Sequence, residues 1–260
     1  MRLKRRISCG ISELQSRISL SANFRTGFRI LLYHSVGTHT DGKTTGVHFV
    51  NPDLFNLHMS ILKETKGISL VGFQEGNGYG DTLEVAITFD DGFKDNLSVA
   101  APILTKLEIP FTVFVSAKHL KYDMPDYLNE AELKELAALP GATIGAHGAN
   151  HLPLAPLDQS EIRHEVHDSK IYLEDLLGKP VLTMSYPFGS LNHVVRDAVE
   201  KAGYTRAACR HWGINDAYND RLLLYRTPIH AEDAERIFIQ KLKGYWDWHG
   251  RFQRDQKIYE

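Results

Sequence analysis

The chain predicts an α/β fold in which parallel strands, covered by helices, close into a barrel or spread as a doubly wound sheet. Three observations carry this. Its short apolar runs are continuous rather than alternating, the pattern of strands buried on both faces. Stretches with helical spacing separate those runs, so strand and helix alternate through about six or seven units. Across all 260 residues no internal repeat, low-complexity tract or convincing linker interrupts the series, which favours one domain.

The N-terminus stands apart from that pattern. Residues 1–29 carry seven basic side chains (Arg2, Lys4, Arg5, Arg6, Arg17, Arg25 and Arg29) against one acid, Glu13. Ile7, Ile11, Leu14 and Ile18 recur at helical spacing, so residues 1–25 read as a basic amphipathic helix. Such a segment either packs on the domain with its charges solvated or lies against an anionic membrane surface. No continuous apolar core follows the basic cluster, unlike a cleaved secretory signal, so the expectation is a cytoplasmic protein, peripheral at the inner membrane face. No stretch approaches the ~20 apolar residues of a membrane-spanning helix. Residues 26–245 are assigned to the barrel and 246–260 to a polar C-terminal tail.

The predicted strands are Arg29–His34, Val85–Phe89, Phe111–Ser116, Ala142–Ala146, Leu182–Tyr186 and Thr205–Cys209. The predicted helices are Leu54–Glu64, Asn96–Leu107 with Asp95 as its N-cap, Glu130–Leu139, Gln159–Leu177 beginning beside Asp158, Asn192–Ala202 stopped by Gly203, and Ala234–Leu242. Gly37–Pro52 and the glycine-rich Glu75–Asp81 read as loops. The latter precedes a strand and lacks the Lys-Ser/Thr of a phosphate loop, so a turn is the simpler reading.

Composition narrows the function. A formal net charge of −2 gives no nucleic-acid footprint. The two cysteines, Cys9 and Cys209, are too far apart in sequence for a CxxC-type site, and no disulfide framework is expected. No GxSxG sequence marks a serine hydrolase.

Chemistry in parallel α/β folds gathers at the C-terminal ends of the strands. Those ends deliver Tyr33, His34 and Ser35; Asp90 and Asp91; His147 and His151; and Ser185, Tyr186 and the Pro187-Phe188-Gly189 turn. Two imidazoles four residues apart, joined by a strand-end carboxylate, make an open catalytic metal set with room for water and substrate. The second acid would then bind the ion and the first would act as general base on the attacking water, whose pKa a metal lowers from ~15.7 to about 7. Such a donor set accepts zinc, cobalt, nickel or iron, and the donors alone leave the choice open.

The motifs TFDDG (Thr88–Gly92), HGANH (His147–His151) and YPFG (Tyr186–Gly189) stand in the order and rough spacing of the polysaccharide deacetylases, the NodB-homology or carbohydrate esterase 4 group. ILLYHSV (Ile30–Val36) and FNLHMSILKE (Phe55–Glu64) resemble the opening of its exopolysaccharide-type members. The resemblance covers about residues 28–243. It implies a distorted (β/α)7 barrel, related to the TIM barrel, that uses a divalent metal to remove N-acetyl groups from sugars of a polysaccharide or glycan precursor. Carried over by position, Asp90 is the general base and Asp91, His147 and His151 the metal ligands. The Phe188 amide helps to hold the oxyanion. Tyr186 and His34, read from their places at strand ends, are the further substrate-side candidates, His34 being either a substrate contact or a hydrogen-bonded core histidine. Ser185 stands where the family has an arginine that buttresses the base, a role left to Arg210 or Arg226. The fourth family motif has no clean counterpart, Trp212 and Asp216 being only loosely placed. His230 is the candidate to protonate the leaving amine. Trp246 and Trp248 either stack on a sugar or pack back on the barrel. Two other readings stay open: hydrolysis of another small amide on the same scaffold, and a carbohydrate-binding protein without turnover.

Overall fold

A computed structural model describes residues 24–37 and 49–253 of the chain. The basic segment, with Cys9, and most of the Gly37–Pro52 loop lie outside the described residues.

Strand β1 is Gly27–Tyr33 and all seven of its residues are buried. Two short strands follow, β2 (Ser35–Val36) and β3 (Phe49–Val50), paired only with each other. After them come β4 (Ile68–Leu70), β5 (Leu83–Phe89), β6 (Phe111–Val115), β7 (Ala142–Ala146), β8 (Thr183–Ser185), β9 (Arg206–Ala208) and β10 (Thr227–Pro228). The main sheet runs β10-β1-β5-β6-β7-β8-β9, every pair parallel, with β4 beside the start of β5. It curls into an incomplete barrel. Ala207 exchanges backbone hydrogen bonds with Arg221 (2.9 Å) and Leu224 (3.0 Å), so the chain leading into β10 runs alongside β9.

Alternation along the strands sorts two cores. Phe28, Ile30, Ala86, Phe114 and Ala208 fill the barrel interior, while Leu31, Tyr33, Ile87, Phe89, Val113 and Val115 face the helices. The same parity carries upward. Positions 34 and 90 continue the inward rows of β1 and β5, and position 147 continues the row of Gly145, which packs against the inward Phe114 ring. The register of β1 and β5, Gly27 opposite Leu83 through Tyr33 opposite Phe89, brings His34 and Asp90 out at one level.

The helices are α1 (Pro52–Glu64), α2 (Ala101–Lys106), α3 (Ala117–Lys121), α4 (Glu130–Ala137), α5 (Gln159–Arg163), α6 (Ser169–Leu177), α7 (His193–Lys201) and α8 (Glu235–Leu242). Helix α1 starts on Asn51, whose side chain accepts from the Asp53 amide, and buries Phe55, His58, Met59 and Leu62 at the spacing of one face. Asp158 caps α5 in a capping box with Glu161, and Gly203 follows α7 at φ +83°.

Three expectations need correction. Asp95 is no N-cap: its carboxylate accepts from Ser35 Oγ (2.5 Å), and Asn96 Nδ2 donates to the His34 carbonyl (2.8 Å), so both side chains tie the helix to the exit of β1. The two longest predicted helices each contain a wider π turn, Asn96–Ala100 ahead of α2 and His164–Asp168 between α5 and α6. The segment expected as a polar tail begins inside packed structure. Trp246 is buried, Asp247 pairs with the buried Arg29 through two 2.9 Å bonds, and Gln253 accepts from the Trp212 amide. Among the described residues no helix is long and apolar enough to cross a membrane.

Candidate active site

Asp90 leaves β5 pointing inward and is buried. Arg226, just before β10 and itself buried, donates Nη1 to Asp90 Oδ1 and Nη2 to Oδ2, both at 2.7 Å. Arg226 Nη2 also donates to Ser185 Oγ (2.8 Å), and that hydroxyl donates to Asp90 Oδ2 (3.1 Å). Burial alone would raise the Asp90 pKa, but the Arg226 guanidinium, joined by His147 and His34, outweighs it and holds the carboxyl at about 2. Of the two candidate arginines, Arg226 is the one paired with Asp90, reaching it from the residue ahead of β10. Arg210 is exposed and lines the same pocket beyond Gly189.

Asp91 turns the other way, because its backbone adopts φ +74° and is followed by Gly92 at φ +73°. Its Oδ1 lies 3.1 Å from His151 Nε2 and 3.4 Å from His147 Nε2. Burial opposes its charge, but the two imidazoles hold its pKa well below the ordinary carboxylate value. His147 Nδ1 lies 2.8 Å from the Ser185 carbonyl, which can only accept, so Nδ1 carries a proton and Nε2 is the nitrogen turned toward Asp91. Burial disfavours a charged His147, yet Asp90 and Asp91 outweigh it and raise its pKa. Asp90 is paired with Arg226, whereas the charge partners of Asp91 among the described residues are imidazoles.

The potential ligand atoms of Asp91, His147 and His151 all lie within 4.8 Å of one another. Two imidazole nitrogens and one carboxylate oxygen, with one nitrogen already oriented by a carbonyl behind it, suit a divalent cation. Three residues here hold left-handed backbones that favour glycine: Asp91 (φ +74°), His151 (φ +56°) and Phe188 (φ +60°). Each such conformation costs on the order of 1–3 kcal/mol and tends to cluster where function requires it.

The pocket over the trio is lined by Leu32, His34, Tyr186, Phe188, Arg210 and Arg226 besides the acids and histidines. Phe188 is 55% exposed and its ring sits 4.7 Å from that of His151. Its turn closes through the Gly189 and Ser190 amides, which donate to Tyr186 and Pro187, and Pro187 has no N–H. The Phe188 amide is thus the first donor of the turn and is not used to close it. Tyr186 lines the pocket, but its hydroxyl donates to the Leu222 carbonyl (2.9 Å).

His230 follows β10 on the same rim, half-buried, its amide donating to Asp233 (2.8 Å) and its ring 6.4 Å from that of Trp212; it is not part of the pocket wall. Asp216 lies at the opposite end of the barrel, with Phe28 and Gly78. Trp246 is buried and Trp248 stacks on His249 at 4.0 Å. Sequence reasoning missed His119, a buried imidazole on α3 whose Nδ1 reaches the Asp91 carbonyl (3.3 Å) and whose ring is 5.5 Å from that of His151. One of several histidines in no motif, it carried no signal.

The polysaccharide deacetylase family model matches residues 78–207, half of the chain and the stretch that holds Asp90, Asp91, His147, His151 and Phe188. The chain belongs to the polysaccharide deacetylase family. Its relatives include YxkH of Bacillus subtilis, named for the same family, 35% identical over 162 residues. Another is the poly-β-1,6-N-acetyl-D-glucosamine N-deacetylase of Staphylococcus aureus, 26% identical over 177 residues. These matches take in 61% and 62% of this deacetylase-family chain and 57% and 59% of the two relatives, less than two thirds of their length. Among solved structures, Streptococcus pyogenes deacetylase PplD in complex with acetate superposes with a TM-score of 0.74 at 25% identity, covering 83% of this chain and 98% of that one. IcaB from Ammonifex degensii shares the fold, with a TM-score of 0.73 at 19% identity over 87% of this chain and 100% of that one. The single-domain NodB-like barrel expected from the motifs is the fold observed.

Proposed function

We propose that the protein hydrolyses the N-acetyl amide of a saccharide with the help of a divalent metal. The observation that carries this is the pairing of two differently treated acids in one pocket: Asp90 locked by Arg226 and Ser185, and Asp91 grouped with two imidazoles. Asp91, His147 and His151 would hold the ion, zinc first, with cobalt, nickel or iron also compatible with the donors. Once bound, such an ion supplies Lewis acidity, acidifying water and polarising an amide carbonyl.

The remaining roles belong to the chain. Asp90, ionised across the neutral range, takes the proton of the attacking water on a carboxylate oxygen, while Arg226 and Ser185 prevent it from swinging toward the ion. The Phe188 amide donates to the carbonyl oxygen as negative charge develops there. His230, on the same rim but outside the pocket wall, returns a proton to the leaving amine once a substrate lies across the mouth. At about 160 Å³ the pocket is small; pockets that take up a whole small molecule measure roughly 300–1,000 Å³. It suits an acetamido group presented by a larger saccharide lying across the mouth, where the exposed Phe188 ring offers an apolar face.

The deciding experiment is Asp90→Asn, assayed for acetate release from N-acetylglucosamine oligomers with zinc binding measured in parallel. The expected outcome is a rate lower by about 10²–10⁴-fold, the usual worth of a general base, with zinc still bound. Wild-type turnover in that variant would remove Asp90 from the mechanism.

A further inference from the structure

His147 and His151 bracket the short loop Gly148–Asn150, so the separation of their rings, 5.0 Å between centroids, depends on how that loop is held. On one side the first amides of α3 hold it: Ala117 donates to the Gly148 carbonyl (3.3 Å) and Lys118 to that of Ala149 (2.8 Å). On the other side, where Pro187 also packs against Gly148, the hydrogen-bonding partner is Glu165. Its main-chain carbonyl accepts from the Ala149 amide (3.0 Å). Its carboxyl accepts the Asn150 amide at both oxygens (3.1 and 2.9 Å) and Asn150 Nδ2 at Oε1 (2.7 Å).

Glu165 is buried, and among the described residues every hydrogen bond to its carboxyl comes from Asn150. Withdrawing such a group from water is unfavourable unless its acceptors are filled, and here they are filled only by the loop. Gly148 has φ +76°, and a Cβ there would sit 2.9 Å from Glu165 Oε2, so the carboxyl packs on the bare face of that glycine. The π turn His164–Asp168 makes the reach possible. A regular α-helix commits each carbonyl to an amide four residues on; the wider turn releases some of them. Glu165 O goes to Ala149 and Val166 O to the Tyr204 hydroxyl (3.1 Å) and Ser169 Oγ (3.0 Å).

We infer that Glu165 is the positioning residue of the loop that carries both histidines: by clamping Asn150 it keeps His151 in its left-handed conformation facing Asp91, and the affinity of the trio for a divalent ion depends on that clamp. The inference rests on the metal-dependent reading above.

The test compares the full chain with Glu165→Gln, Asn150→Ala and Asp91→Ala, measuring zinc affinity by chelator competition, acetate release at saturating zinc, and thermal unfolding of the zinc-free proteins. Glu165→Gln puts a donor against the Asn150 N–H groups; it is expected to weaken zinc binding by about 10–100-fold, the usual effect of removing an outer partner of a ligand. Asn150→Ala keeps the main-chain donor and loses the side-chain bond, so a smaller loss of affinity with unchanged unfolding is expected. That variant decides the matter should Glu165→Gln fail to fold. Wild-type zinc affinity in Glu165→Gln or, if it does not fold, in Asn150→Ala overturns the inference while leaving the deacetylase reading intact. A wild-type chain that binds zinc no better than Asp91→Ala overturns both.

Discussion

Both terminal nitrogens of Arg226 are committed to Asp90, and that pairing decides what the acid can do. Burial opposes the charge on Asp90, and Arg226 is the largest of the groups that offset it, ahead of His147 and His34, so losing the guanidinium moves the carboxyl toward its protonated form, which cannot accept a proton. Arg226→Met is therefore expected to lower acetate release by about 10²-fold or more and to cost about 3–5 kcal/mol of stability, as breaking a buried pair does. Arg226→Lys keeps the charge and loses the planar fork, and should fall between. Urea unfolding with acetate release measures both; an Arg226→Met chain with wild-type turnover would show that Asp90 needs no such partner. Much of this site was legible in sequence, because Asp90, Asp91, His147 and His151 sit directly after apolar runs. The pairing of Arg226 with Asp90 was not, beyond a choice of two arginines: the partners are 136 residues apart, and only the curl of the sheet brings them together. The left-handed backbones of Asp91, His151 and Phe188 gave no sign either: Asp and His tolerate that conformation better than most residues but adopt it rarely, and Phe has no such tendency, so tertiary contacts select it.

Among the elements, legibility followed length. The long apolar runs became β1, β5, β6 and β7 with ends shifted by a residue or two, whereas β2, β3 and β10 have two residues each and present no periodicity to read. The π turns escaped because the apolar spacing of Gln159–Leu177 is compatible with one continuous helix; what widens the turn is the set of partners waiting outside it. Strand β7 shows how closely an element can be constrained by its neighbour inside the barrel. At Gly145 an added Cβ would collide with the Phe114 ring and lie 2.7 Å from Thr183 Oγ1. Gly145→Ala should thus destabilise by overpacking, about 1–3 kcal/mol, visible as a lowered urea midpoint. It should also disturb zinc affinity, since His147 is only two residues further along the same inward row. A variant as stable as wild type would mean that β7 can shift away from β6 at no cost.

On the scale of the whole molecule, one buried histidine joins three separate parts of the barrel wall. His58 on α1 receives the Tyr33 hydroxyl of β1 at Nδ1 (3.1 Å) and donates Nε2 to the Asp233 carbonyl ahead of α8 (2.7 Å). Its ring stacks on Phe238 of α8, 4.0 Å between centroids. Each nitrogen is used in the neutral form, and burial pushes the pKa down from 6.5 to about 4 even though the Asp233 contacts oppose the shift. The unfolded chain takes up this proton near pH 6.5 and the folded one only near 4, so protons favour the unfolded state between those values. Stability contributed by neutral burial is complete above the upper value and falls as the pH drops, by about 3 kcal/mol at full titration. The carboxylates Asp90, Asp91 and Asp233, whose pKa values are all lowered, add their own losses only below the ordinary carboxylate range, so the imidazole acts first. His58→Gln, which cannot titrate, should be less stable than wild type at neutral pH, and the gap should narrow as the pH is lowered from 6.5 toward 4. Denaturant melts of the two proteins across that range give the comparison; parallel curves would show that His58 gains its proton without breaking the joint, and that the tie between α1, β1 and α8 is held by packing alone.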